Sequence, residues 1–240
     1  MDLSGFESLV RNRRSVRIFD GSPVPEAVVE KCIELALLAP NSSNLQPWEF
    51  HWVRNNSKRT ALIEACLSQS AAKTSAELIV CVSRTETWKR ARENMLEQLS
   101  AHENKGVKIP GAAWHYYRKL VPIMYQQGWF SLLGYLKRIV FFGIGLRKPT
   151  MREPTSIGDM RNWAIKSTAL ACENLMLAAT AQGYDSCPME GMDSTRVCKL
   201  LNLPRDSNVV MVIALGKRAA NGVTLPQIRG DQAHYVFRHD

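Results

Sequence analysis

The sequence predicts an α+β fold, and three observations carry that reading. Helical and strand patterns alternate along the 240 residues without the strict βαβ regularity of a parallel sheet. Leu78-Ile79-Val80-Cys81-Val82 is a continuous apolar run, as expected of a central strand covered on both faces. Met160 to Gln182 is long, rich in Ala, Leu and Met, apolar almost all round and followed by Gly183, the pattern of a buried helix with a glycine stop.

The remaining elements follow in order. A first helix is expected over Phe6 to Arg11. After the turn Gly21-Ser22-Pro23, Pro25 suits the first turn of a second helix, Val28, Val29, Cys32, Ile33, Ala36 and Leu37 form its apolar stripe, and Pro40 stops it. Pro40 to Trp48 then places four small amide or hydroxyl side chains between two prolines. Side chains held this way lose little further entropy on binding, which marks either a ligand-contacting loop or a plain helix-to-strand connection. Strands are predicted at about 49–53 and 78–82, with a helix from Lys58 to Ser68 between them. Thr87 to Asn104 reads as a charged, solvated helix, and Trp114 to Gln127 as a helix kinked by Pro122. Arg147 to Asp159 reads as loop. Strands at about 185–188 and 209–215 bracket a short helix from Ser194 to Leu201. Val223 to Asp240 forms a basic tail with a candidate strand at Tyr235 to Phe237. The tail has too few apolar residues to fold alone, so a second subunit is its expected support.

Composition bounds the function classes. The length suits one domain, 1–240, with a helical or apolar insertion at about 114–155. With 45% apolar and 22% charged residues, disorder is not indicated. The net charge of +9 admits nucleic acid, an anionic membrane surface or anionic small ligands. Six cysteines scattered singly, without Cys-x-x-Cys or ligand-spaced histidines, read as reduced core thiols. With an N-terminus lacking an apolar signal region, they point to a cytoplasmic protein without a metal site. Trp129 to Leu146 is strongly apolar, but Lys137 and Arg138 interrupt its middle. Two cations there would cost roughly 2.5–3.5 kcal/mol each at a bilayer centre, which disfavours a spanning helix and leaves a lid, a buried helix pair or an interfacial helix.

Two constellations carry chemistry. Arg13, Arg14, Ser15 and Arg17 form an anion-site candidate, because guanidinium forks bind phosphate oxygens bidentately; the alternative is a solvated basic surface. Cys187-Pro188-Met189-Glu190-Gly191-Met192-Asp193 joins an expected strand to an expected helix, where backbone N–H groups point outward and Gly191 permits close approach of a planar ligand edge. Glu190 reads equally well as a helix cap. Nucleotide motifs fail: Lys148 stands where Gly143-x-Gly145 needs its third glycine, and no Walker-type glycine precedes Gly216-Lys217.

Taken together, these segments resemble the FMN-dependent nitroreductase family. Four blocks match in order: Arg13 to Phe19, Ala39 to Trp48, Trp163 to Lys166 running through Gly183 to Asp193, and Leu225 to Arg229. They cover about half the chain, and residues 87–155 lie outside them.

The resemblance implies a nitroreductase-like fold with a mostly antiparallel central sheet flanked by helices. It also implies an interlocked homodimer whose C-terminal tails pack on the partner. Arg13, Arg14 and Ser15 match residues that hold the FMN phosphate and ribityl chain. Arg17 matches a cation at the flavin N1 and O2 edge, where two-electron reduction places negative charge. Asn41, Ser42 and Asn44 match the loop that reaches the flavin of the opposite subunit. Pro188, Met189, Glu190 and Gly191 match the segment facing the ring, and Arg229 matches a phosphate contact in the tail. Gln227 departs from the lysine that some relatives carry. Trp129, Phe130, Tyr135, Phe141 and Phe142 would supply lid or partner contacts. The implied activity is ping-pong hydride transfer from NADH or NADPH to a nitroaromatic or quinone-like acceptor, with no catalytic acid or base and no nucleic-acid partner. The alternatives are an FMN-dependent dehalogenase or flavin-modifying relative, and a basic nucleic-acid or membrane-surface module without catalysis, for which residues 129–146 would be the peripheral membrane contact.

Overall fold

The computed structural model describes residues 2–128 and 132–239. Its centre is a four-stranded antiparallel sheet built from β1 (Trp48–Trp52), β2 (Glu77–Arg84), β3 (Asp185–Met189) and β4 (Ser207–Gly216), in the order β1-β2-β4-β3. β2 and β4 are therefore the inner strands. Their side chains alternate between two cores: Leu78, Val80, Val82, Val212 and Ala214 enter one, while Ile79, Cys81, Met211, Ile213 and Leu215 enter the other. A strand covered on both faces has no polar side to show, which accounts for the apolar run at 78–82.

Helices cover both faces. On one, α1 (Leu3–Asn12) touches α9 (Ile157–Ala181), and α9 packs on α2 (Glu26–Ala36), with Val29, Cys32 and Ala36 meeting Ala171, Cys172, Leu175 and Ala179. On the other, α3 (Asn56–Ala65), α4 (Ser70–Thr74) and α10 (Ser194–Leu200) bring Leu62, Ala65, Ala71, Ala72 and Val197 against the sheet, joined by Val16 and Phe19. α9 starts at Ile157, inside the stretch expected as loop, because the Ser156 side chain accepts the Asp159 N–H as N-cap. It ends before Gly183 at φ +75, as the sequence predicts. One side of α9 is open rather than buried, with Leu170 49% exposed.

The helix predicted over 58–68 overruns α3, and the short α4 lies beyond it. α3 stops at Ala65, Leu67 and Ser68 take left-handed φ values of 56° and 53°, and α4 resumes at Ser70. No glycine or proline announces this break, so local patterning ran through it. The predicted strand at Tyr235 to Phe237 does not form. The short turn Gln232–His234 stands just before it, and the described residues of the exposed tail pair with no strand of the sheet.

A third cluster supports the excursion between β2 and α9. α5 (Trp88–Asn104) is followed by helix α6 (Gly111–His115), a π turn over Tyr116–Leu120 and α7 (Val121–Tyr125). The ladder widens just ahead of Pro122, which lacks an N–H and whose ring would clash with the carbonyl four residues back. Val121 and Tyr125 pack with Leu45, Trp88, Met160, Trp163 and Ala164. α8 (Leu132–Gly145) follows; of the lid candidates, Tyr135 and Phe142 are exposed and Phe141 half-buried, while Trp129 and Phe130 lie outside the described residues. The six cysteines are unpaired, five of them buried.

One charged node ties the sheet ends. Arg84 of β2 donates to Glu49 of β1 at 2.5 Å and, through Nε and Nη2, to both Asp206 oxygens at 3.0 and 2.9 Å, beside the start of β4. Burial pushes the Asp206 carboxyl up, but the Arg84 fork and the Glu86 N–H more than reverse this, holding it below the usual carboxylate range. A carboxyl depressed on folding adds stability above its unfolded pKa of about 3.9 and loses it as pH falls through the lower folded value. Asp206→Asn is therefore expected to lower unfolding free energy at neutral pH and to flatten its decline below pH of about 4. Urea melts across that range measure both.

Candidate functional site

The arginine strip is built by the exit from α1. Arg13 caps that helix with extended backbone, and residues 15–19 run along the outer edge of β3. Ser15 bridges Ser186 in parallel, the Val16 N–H donates to Ser186 O at 3.0 Å, and Phe19 bridges Arg218. Val16 is fully buried in the core, so alternation leaves Ser15 and Arg17 on the other side of this edge segment. The Arg17 N–H donates to Gly222 O at 2.8 Å, which secures the segment from the tail side. Arg13 Nε lies 3.6 Å from Glu173 Oε1. Arg14 Nη2 donates to Leu225 O at 2.6 Å, and Arg17 Nη1 reaches Cys187 Sγ at 3.4 Å. Among the described residues, Arg14 and Arg17 have no carboxylate partner, whereas the neighbouring Arg218 is held by Asp185. The strip therefore keeps cationic donors for an anion. Burial pushes the Cys187 thiol up against the pull of Arg17, so this sulfur stays protonated at neutral pH.

Beside the strip, β3 ends at Met189, whose side chain is buried, while Glu190 and Gly191 are exposed. Two long-range bonds pin this corner: Gln69 Nε2 donates to Gly191 O at 2.7 Å, and the Asp193 N–H to Ala65 O at 2.8 Å. The N-cap of α10 is Asp193, which accepts the Arg196 N–H. Glu190 is not the cap, and its carboxylate stands at the turn.

The amide-rich loop is strained and over-determined. Within residues 42–46, Ser43, Asn44 and Gln46 have φ of 59°, 50° and 44°. Such non-glycine residues each cost of order 1–3 kcal/mol and persist only where surroundings impose them. Here Asn41 Oδ1 accepts the Gln46 N–H at 2.8 Å, Leu45 is fully buried, and three tyrosines converge on Ser42 and Ser43. The Ser43 hydroxyl lies 2.6 Å from the Tyr116 hydroxyl and 3.0 Å from that of Tyr125, Ser42 Oγ is 3.1 Å from Tyr125, and Tyr117 donates to Ser43 O at 3.2 Å. Burial pushes the Tyr117 and Tyr125 hydroxyls up, so both remain neutral partners.

Asn41 and Ser42 border a cleft of about 460 Å³ whose other walls include Tyr125, Trp163, Pro154 and Lys166. The Tyr125 and Trp163 rings meet edge to face at 4.8 Å between centroids. Both rings are almost fully buried, so they back the cleft rather than face it, and Glu153, Asp159 and Lys166 bring charge to its lining.

The structure thus joins Arg13, Arg14, Ser15 and Arg17 to Pro188, Met189, Glu190 and Gly191 along β3. It places Asn41, Ser42 and Asn44 ahead of β1, at the opposite edge of the sheet. Three strand spacings of about 4.8 Å separate those edges. Arg229 lies in the exposed tail with its guanidinium on Ile228 O and makes no contact with the strip. Tyr116, Tyr117 and Tyr125 escaped sequence reading, because nothing local distinguishes a tyrosine that reaches a loop some 75 residues away, as Tyr117 does, from one that fills a core.

The sequence profile described as Nitroreductase family matches residues 10–217. The chain belongs to the nitroreductase family. Among its relatives in that family, Protein DrgA of Synechocystis is 32% identical over 212 residues, covering 87% of this chain and 82% of DrgA. A Thermus thermophilus protein named NADH dehydrogenase is 28% identical over 210 residues, covering 88% of this chain and 85% of its own. The crystal structure of Bacillus subtilis ydfN superposes with a TM-score of 0.76 at 22% identity, over 99% of this chain and 100% of that one. An Exiguobacterium sibiricum nitroreductase structure in complex with FMN gives 0.72 at 22% identity, over 98% and 97%. These likenesses place the antiparallel sheet and its helices in the nitroreductase fold.

The tyrosine clamp makes a direct prediction. Replacing Tyr116 and Tyr125 together by Phe keeps both rings but strips the Ser43 hydroxyl of its partners, at an expected cost of about 1–3 kcal/mol. Denaturant unfolding measures the loss, and proteolysis near residue 43 is expected to accelerate.

Proposed function

We propose that this nitroreductase-family chain is an FMN-dependent oxidoreductase that transfers hydride from NADH or NADPH to an electron-poor acceptor such as a nitroaromatic or quinone. The observation that carries this reading is the pairing, along the β3 edge, of unneutralised arginines with the exposed Glu190-Gly191 corner. A phosphate needs the first and a planar ring edge the second. FMN, when bound, supplies the hydride chemistry.

The chain's own residues have separable tasks. Arg13, Arg14 and Ser15 would hold the phosphate and ribityl chain, with Arg229 drawn in from the tail. Arg17 would hold the polar edge of the ring, and Pro188 to Gly191 would present backbone to its face. Asn41, Ser42 and Asn44 stand at the other sheet edge, and a homodimer would bring the loop of one copy to the strip of the other. The exposed tail residues Leu225, Ile228, Tyr235 and Phe237 have apolar surface for the partner. The cleft beside Asn41 and Ser42 would receive donor and acceptor in turn. Tyr117, Tyr125 and Cys187 all titrate above their ordinary values for reasons of burial, which leaves none of them poised as a neutral-pH base. Positioning and electrostatics then carry the rate. Unpaired buried thiols favour a reducing, cytoplasmic setting.

The test is spectroscopic. Purified or reconstituted protein is expected to show a stoichiometric flavin absorption band that NADH or NADPH bleaches anaerobically and a quinone or nitroaromatic restores. A chain that cannot be loaded with FMN and instead binds nucleic acid with a steep salt dependence overturns the proposal. Arg17→Ala is expected to lower the two-electron potential while sparing most FMN affinity, and an unchanged potential in a redox titration removes that role.

A further inference from the structure

Helix α8 is built inside out. At 3.6 residues per turn, Gly134, Lys137, Phe141 and Ile144 share the inner side, while Leu132, Leu136, Ile139 and Leu146 fall opposite, flanked by Tyr135 and Phe142. The inner side is anchored through polar groups. Lys137 Nζ donates to Met124 O at 2.8 Å and Pro154 O at 3.3 Å, and burial pushes its ammonium pKa down. Gly134 lies so close to the loop before α9 that a Cβ would collide with the Thr155 carbonyl. The outer side is apolar and open: Leu132 is 67% exposed, Leu136 53%, Ile139 61%, Phe142 62% and Leu146 73%. Contiguous exposure of this kind marks a face that meets something apolar.

Charge identifies what that is. The chain carries 31 Lys and Arg against 22 Asp and Glu. Residues 105–152 contain nine of the cations and no acidic residue at all, so the rest of the chain balances at 22 of each sign. The whole net charge of +9 therefore belongs to the segment that carries α8. Among the described residues none of these nine cations is in an ion pair, and Arg147 and Lys148, directly after the helix, are exposed. Apolar residues facing outward beside uncompensated cations suit a surface that is oily beneath and anionic on top. A second copy of this face would bring two such positive segments together, and nucleic acid offers nothing to the leucines. No helix among the described residues is long and apolar enough to cross a membrane, and α8 spans about 21 Å at 1.5 Å per residue.

We infer that α8 is a peripheral foot that lies in the surface of an anionic lipid bilayer, with Leu132, Leu136, Ile139 and Leu146 inserted and Arg147 and Lys148 at the headgroups. This inference is independent of the flavin reading. The loop after α8 continues into the wall of the cleft through Pro154, so the foot sets the cleft beside the lipid surface.

Flotation of the full chain with phosphatidylcholine vesicles, with and without phosphatidylglycerol, tests it. Binding is expected only with the anionic lipid and is expected to weaken as salt rises. Leu136→Glu with Ile139→Glu, and separately Arg147→Glu with Lys148→Glu, are each expected to cut vesicle partitioning by about tenfold or more while the far-UV spectrum stays that of the parent. Absence of binding to anionic vesicles at low salt overturns the inference, as does binding that survives the leucine and isoleucine changes. A fall in sedimenting mass caused by those changes in lipid-free solution also overturns it, because the face would then belong to an interface between copies.

Discussion

The antiparallel pairing of β2 with β4 is the constraint from which the other features follow. Both strands are apolar on both sides and must be covered twice, by α2 and α9 on one face and by α3, α4 and α10 on the other. With the faces closed, polar chemistry is pushed to the two free edges. β1 and the loop before it occupy one, and β3 with the Ser15–Phe19 segment occupies the other. The cationic strip and the amide loop are thus separated by the same packing that makes the sheet stable.

That separation gives the proposed site its logic. Each edge is held rigidly by contacts that have nothing to do with ligand. The strip is tied by backbone bonds to Ser186 and Gly222, the corner by Gln69 and Ala65, and the amide loop by three tyrosine hydroxyls and the buried Leu45. Left-handed backbone at Ser43, Asn44 and Gln46 is a cost that only such surroundings can impose. Pre-organised edges lose little entropy when a ligand closes on them.

The excursion between β2 and α9 has two contrasting sides. Its inner part, α6, the π turn and α7, supplies the clamp on the amide loop and a wall of the cleft. Its outer part, α8, turns its lysine inward to backbone carbonyls and its leucines outward. A soluble surface helix has the opposite polarity, and this reversal is what the inference of a lipid-facing α8 rests on.

Much of this was legible in the residues. Leu78 to Val82 specified an inner strand, Gly183 the end of α9, and the order of the Arg13, Pro40–Trp48 and Pro188–Asp193 blocks specified the family, because periodicity, stop residues and short motifs are local properties. The break at Leu67 and Ser68 was not legible, since ordinary residues adopt left-handed backbone there only under tertiary packing. Nor could sequence choose between cap and open carboxylate for Glu190, a question decided by Asp193 taking the Arg196 N–H. The sequence by itself determined which chemistry the chain carries: guanidinium donors, a compact amide loop, a glycine corner and a localised positive charge. Only the tertiary structure decided where these stand, placing strip and corner on one sheet edge and the loop on the other, and aiming α8 outward, because such placements arise from contacts between residues far apart in the chain.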